Sequence, residues 1–141
     1  MCLQLLVQLR IRFGKASALG IVTGMVAGLG TITPASGYVG PGGALIIGLS
    51  AGVVCFFATI YIKQRLKIDD SLDVFPVHGV GGILGMLLTG VFASNALGVF
   101  SGQEDIAITS QVGTQALGVV ATVLYTGVVT WGILKFTDAM V

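Results

Sequence analysis

The residue in this 141-residue chain best suited to proton chemistry is His78, its only histidine. It lies in Asp69–Gly85, DDSLDVFPVHGVGGILG. Three carboxylates, Asp69, Asp70 and Asp73, open the stretch, and no charge follows until Glu104. Negative charge complements a helix N-terminus, and Asp70 with Asp73 has the spacing of a capping pair, so a helix is expected to start there. His78 then stands about 12 Å along the axis from Asp70, at 1.5 Å per residue. A neutral imidazole donates from one ring nitrogen and accepts at the other. Gly79, Gly81, Gly82 and Gly85 follow it and strip one flank of that helix of side chains. Such a helix either packs very tightly or borders a narrow lumen. On these residues alone, His78 faces a pathway or hydrogen-bonds between packed helices, and both readings stand.

Little else in the chain offers chemistry. The apolar stretches hold no metal-ligand cluster and no nucleophile–base pair, so an enzyme is not expected, nor a metal or cofactor. Cys2 and Cys55 are far apart, and Cys55 lies in an apolar run, which argues against a disulfide framework. A net charge of +1 without a basic patch argues against nucleic-acid binding. The apolar start, Met1–Val7, precedes its basic residues, the reverse of a cleavable signal peptide.

The elements that must position His78 follow from the charge distribution. Only 9% of residues are charged and 55% are hydrophobic, whereas soluble domains carry about 25% charged residues. Uncharged runs of 47, 30 and 29 residues follow Lys15, Asp73 and Asp105. A spanning helix needs about 20 apolar residues, so the first run fits two spans and each later run one. The expectation is an all-α membrane protein in the lipid bilayer, with four transmembrane helices near 16–32, 42–62, 74–94 and 110–134. The break at 33–41, TPASGYVGP, concentrates Pro34, Gly37, Gly40 and Pro41. Ser110 reads as an N-cap, and Tyr61 and Trp131 as interfacial anchors. Residues 1–13 form an irregular segment ahead of a domain at 14–141.

All seven basic residues fall on one side of such a four-span arrangement: Arg10, Arg12 and Lys15 before the first span, Lys63, Arg65 and Lys67 after the second, and Lys135 after the fourth. The positive-inside rule puts both termini and the central loop in the cytoplasm. Glycine supplies 22 residues, costly in a water-soluble helix but useful where membrane helices approach closely. Gly20, Gly24 and Gly28 form a small-residue ladder on the first span, and Gly81, Gly82 and Gly85 a bare face on the third.

Two blocks, GMVAGLGTITPASGYVGPGGALIIGLSAGVVCFFA and KIDDSLDVFPVHGVGGILGMLLTGVFA, in this order and spacing, strongly resemble the ammonium transporter family (Amt/Mep/Rh). The resemblance covers roughly Gly14 to Phe136 and implies the last four of eleven helices, a fragment of that fold with a cytoplasmic C-terminus in the plasma membrane. It implies that His78 matches the second of two pore histidines, that Val74 matches an apolar pore-lining position, and that Asp70 matches a structural carboxylate at the cytoplasmic end. It further implies ammonium or ammonia as the transported species and a homotrimer for the full-length protein. The first pore histidine, the aromatic gate and the outer recruiting site would belong to helices outside this chain. Met1–Phe13 does not look like the helix that should precede Gly14, as in a truncated frame, and Pro76 stands where many members have glycine.

What the resemblance implies mechanistically is deprotonation of ammonium, passage of ammonia through a narrow apolar lumen, and return of the proton. The competing expectation is a non-transporting membrane fragment in which His78 merely packs. An unrelated proton-coupled carrier would need acidic residues within the spans, and none is present.

Overall fold

The computed structural model describes residues 18–93 and 108–141, with side chains from residue 20 onward. They form four helices: α1 at Ala18–Ile32, α2 at Pro41–Arg65, α3 at Phe75–Phe92 and α4 at Ile108–Met140. No strand occurs among the described residues. The expected irregular segment at 1–13 and most of the loop at 95–109 lie outside them.

Three helices, α2, α3 and α4, are long and apolar enough to cross a membrane; the described part of the first is a shorter apolar helix, Gly20–Ala35. The helices run past the expected limits of the spans at 42–62 and 110–134. α2 continues as a π-helical turn at Tyr61–Arg65, and α4 extends to Met140 over 33 residues, about 50 Å. Lys135 therefore lies within α4 rather than after it. Ser110 also lies inside α4, and its carbonyl accepts a bond from the Thr114 hydroxyl at 3.0 Å. The helix begins upstream of Ser110, so that residue is no N-cap.

The connector between α1 and α2 breaks where proline and glycine dictate. Thr33–Ala35 tightens into a 3-10 turn with Pro34 at its start, Ser36 is extended, and Gly37 takes a left-handed φ of 85° that suits a residue without Cβ. Pro41 opens α2 at the position where a missing N–H costs no ladder bond. A bridge from Val39 to Ala93 ties this connector to the end of α3.

Helix α3 is the hub, packing on α1, α2 and α4. Its contact with α1 is made backbone to backbone. A methyl group at Gly85 would overlap the Thr31 carbonyl oxygen, and one at Gly81 would lie 2.8 Å from Thr31 Oγ1 and 3.2 Å from Cys55 Sγ. Thr31 is fully buried, and its hydroxyl donates to the Ala27 carbonyl at 2.7 Å, which satisfies a polar group that burial would otherwise penalise. The buried face of α1 is thus Gly24, Ala27 and Thr31. The expected ladder of Gly20, Gly24 and Gly28 shares only Gly24 with it, since Gly20 and Gly28 are partly exposed. At the other end of α3, a methyl group at Gly90 would come within 3.0 Å of the Val112 backbone of α4. From Ala121 onward every residue of α4 is exposed in this chain.

Candidate functional site

The loop at 66–73 and the start of α3 set the place of His78. Asp70 spends both carboxylate oxygens on the helix start: the Val74 N–H donates to Oδ1 at 2.9 Å and the Phe75 N–H to Oδ2 at 2.8 Å. These bonds, from Phe75 first and Val74 next, hold the Asp70 carboxyl below its ordinary pKa. Asp73 does something else. Its backbone is left-handed, φ 56°, and its carboxylate pairs with Lys63 Nζ of α2 at 2.7 Å. The expected capping pair is therefore a cap by Asp70 alone, because the turn at Asp73 directs its carboxylate toward α2. The ion pair closes the loop between α2 and α3; Lys63 is 40% exposed, so it is worth about 0–1 kcal/mol.

Because the folded pKa of Asp70 is depressed, its contribution is present above the unfolded carboxylate value, about 3.9, and is lost as pH falls through the lower folded value. Replacing Asp70 by alanine should therefore lower the hydrogen-exchange protection factors of the Val74 and Phe75 amides at neutral pH, and acidification of the parent chain through the carboxyl range should lower them too, each measured against the intrinsic rate at that pH. Unchanged protection of both amides in Asp70→Ala would remove the capping role.

The first turns of α3, Phe75–Val80, are π-helical, a wider winding with i→i+5 bonds found often at functional sites. Pro76 is buried here and breaks no ladder bond, since an N–H at 76 would point back to Leu72, outside the helix. His78 sits in this π turn and is exposed on the surface of the chain. It borders a cavity of about 300 Å³ between α3, α4 and the connector, which Phe75, Gly79, Gly82, Val119, Thr122 and Pro34 also line. His78 and Thr122 are the polar side chains of that lining; the rest is apolar. On the opposite side, His78 Nδ1 lies against α1, where a methyl group at Gly30 would be 3.7 Å away.

The candidate residues divide accordingly. Gly81 and Gly85 sit at the helix contact. Gly82 does not: a methyl group there would meet nothing within 4 Å, and the residue borders the cavity beside His78, one position off the packed face. Val74 is 51% exposed and stands outside the cavity lining. Phe75, Thr31, Gly30 and Thr122 join the site without having been singled out from sequence. Phe75 carried a usable signal, three residues before His78 and so on its helix face; Thr122 lies in an apolar run and carried none.

Geometrically, this is a small apolar chamber with one donor–acceptor ring and one hydroxyl at its wall. It suits a small neutral molecule that needs a hydrogen bond, and it offers no fixed charge to an ion.

Comparison with known proteins fits this picture. The sequence model of the Ammonium Transporter Family matches residues 2–141. The ammonium transporter of Aquifex aeolicus is 43% identical over 131 residues, 93% of this chain and 31% of that protein. Ammonium transporter Amt1 of Archaeoglobus fulgidus is 39% identical over 132 residues, 91% of this chain and 32% of that protein. Among solved structures, Mep2 of Saccharomyces cerevisiae superposes with a TM-score of 0.87 at 36% identity, over 98% of this chain and 32% of that one. The chain thus spans about 30% of the length of the curated relatives it matches. Matched in sequence along nearly its whole length and in fold to Mep2, this all-helical chain with membrane-length apolar helices belongs to the Ammonium Transporter Family.

Proposed function

We propose that this chain supplies the His78-bearing wall of an ammonium/ammonia pathway through the plasma membrane. The observation that carries the reading is the single imidazole on a π turn at the edge of an apolar chamber, in a chain of this family. Moving a unit charge through hydrocarbon is costly, so ammonium must shed its proton to cross a chamber with no charged lining. His78 would bond the neutral molecule by donating from one nitrogen and accepting at the other, while Phe75 and the surrounding apolar residues would exclude water. Val74, one turn before His78, would extend that apolar wall toward the cytoplasm, and Asp70 would hold the turn in place.

The remainder of the lumen is supplied by the longer protein to which such a segment corresponds, so the chain acts as a portion of a transporter rather than as an enzyme. Homotrimeric assembly and cytoplasmic termini belong to the same reading; the clustering of Lys63 and Arg65 at the end of α2 with Lys67 in the loop that follows supports the orientation. A cysteine replacing Gln64 should then be labelled only after permeabilisation. Labelling from outside intact cells would overturn the orientation.

The direct test grafts residues 14–141 onto the preceding helices of the Aquifex aeolicus transporter and measures methylammonium uptake in a host without its own transporter. Uptake above background is expected from the graft, and none from the 141-residue chain alone. A properly inserted graft without uptake would favour the non-transporting reading, and robust uptake by the chain alone would refute the half-pore argument.

A further inference from the structure

We propose that Asp73 is a positioning residue for His78, anchored by Lys63 at the end of α2. The proposal rests on the reading of His78 as the hydrogen-bonding ring of the pathway, and it concerns what fixes the π turn that presents the ring. Asp73 stands just before α3. Its φ of 56° is left-handed, a conformation uncommon for residues with a Cβ and kept where the surrounding structure over-determines it. Three contacts do so here. The Asp73 N–H donates to the Asp70 carbonyl at 3.3 Å, and the Asp73 carbonyl accepts from the Val77 N–H at 3.0 Å. The carboxylate meets Lys63 Nζ at 2.7 Å. Of the three, the carboxylate contact is the one that reaches another helix.

Asp73 Oδ1 is closed off from solvent, so Lys63 is the charge that offsets its burial. Lys63 lies in the π turn Tyr61–Arg65 that ends α2, next to the buried Ile62. The ion pair therefore joins two π turns across the loop, the one that ends α2 and the one at Phe75–Val80 that carries His78. The two aspartates divide the work: Asp70 closes the amides of Val74 and Phe75, and Asp73 sets the peptide that receives the Val77 N–H. Val77 is buried with Ala27 and Cys55 and directly precedes His78, so a rotated peptide at Asp73 is passed straight to the turn that presents the ring. The pair need not add much stability to do this; it has to select one loop conformation. Its two halves are unequal. Without Lys63 the buried carboxylate oxygen is left uncompensated, whereas without the Asp73 charge the partly exposed lysine is simply hydrated.

His78 is the only histidine, so ¹⁵N-labelled histidine in the full chain, held in lipid nanodiscs, reports the place of the turn. In the parent chain, nitrogen–carbon coupling between labelled lysine and aspartate should show a close Lys63 Nζ–Asp73 Cγ contact. Asp73→Asn should shift the imidazole signals and lower the protection factor of the Val77 amide by about two- to five-fold, the worth of a pair this exposed. Lys63→Met should shift them further, and the double variant should return to the Asp73→Asn values, because the buried charge is then gone. Asp73→Gly, which takes a left-handed φ without strain, should still move the signals, since the anchor is lost. Arg65→Met, which removes a cation from the same turn of α2, should change neither readout. Absence of the Lys63–Asp73 contact in the parent chain would overturn the proposal even if no variant folds. So would unchanged imidazole signals in a folded Lys63→Met, an equal change in Arg65→Met, or additive effects in the double variant. These readouts need no transport, so they stand or fall separately from uptake by the graft.

Discussion

His78→Ala, placed in the grafted transporter, should lower methylammonium uptake by about two- to thirteen-fold while leaving membrane insertion unchanged. The magnitude follows from the bond that alanine cannot make. A neutral hydrogen bond is worth about 0.5–1.5 kcal/mol net, and each 1.36 kcal/mol in a barrier is about a factor of ten in rate. Loss of the donor–acceptor ring removes that bond at the chamber wall and any proton handling with it. Alanine adds no charge and keeps the helix, so the effect should appear in the maximal flux rather than in the amount of protein at the membrane. His78→Glu makes the opposite change: a carboxylate provides a charged site, so conduction should persist with admission of cations such as potassium. Uptake and ion selectivity unchanged by His78→Ala would return this ring to a packing role.

The neighbourhood that makes this test meaningful was only partly legible in the sequence. The place of His78 was readable because charge stops at Asp73 and the apolar run that follows has one histidine and a run of glycines. The spans were readable for the same reason, since uncharged runs of that length admit few other readings. Several features were not. The π winding at Phe75–Val80 leaves no mark in a pattern of apolar residues, because it shifts which faces align without changing which residues are apolar. The separation of Asp70 from Asp73 depends on a left-handed backbone at Asp73, which spacing does not encode, so two carboxylates three apart looked like one cap. And glycines at Gly81, Gly82 and Gly85 look alike as letters, yet only the first and last meet α1. Of the ladder at Gly20, Gly24 and Gly28, Gly24 lies on the buried face of α1, which also carries Ala27 and Thr31. Thr31 was overlooked because a threonine in an apolar run reads as filler until its hydroxyl is found bonded to Ala27 and its carbonyl against a neighbouring helix.

That distinction among glycines yields an expected result as large as the one at His78, on stability instead of flux. Gly85→Ala should destabilise the grafted transporter toward unfolding in detergent by about 1–3 kcal/mol, the range for overpacking a tight contact, and the upper end is favoured here. The added methyl group meets a carbonyl oxygen of α1, which is backbone and cannot rotate aside. Relief would require α1 and α3 to separate along their whole crossing, uncovering the buried cluster of Ala27, Cys55 and Val77. Gly81→Ala should cost less, because the methyl group meets the side chains of Thr31 and Cys55. Gly82→Ala should be neutral or slightly stabilising, since the methyl group meets nothing within 4 Å and alanine is the better helix former by up to about 1 kcal/mol. The order of the three, measured by unfolding of the purified variants under identical detergent conditions, carries the argument. If Gly82→Ala destabilised as much as Gly85→Ala, the loss would come from glycine content along α3, and the backbone contact at Thr31 would cease to explain why this helix is bare.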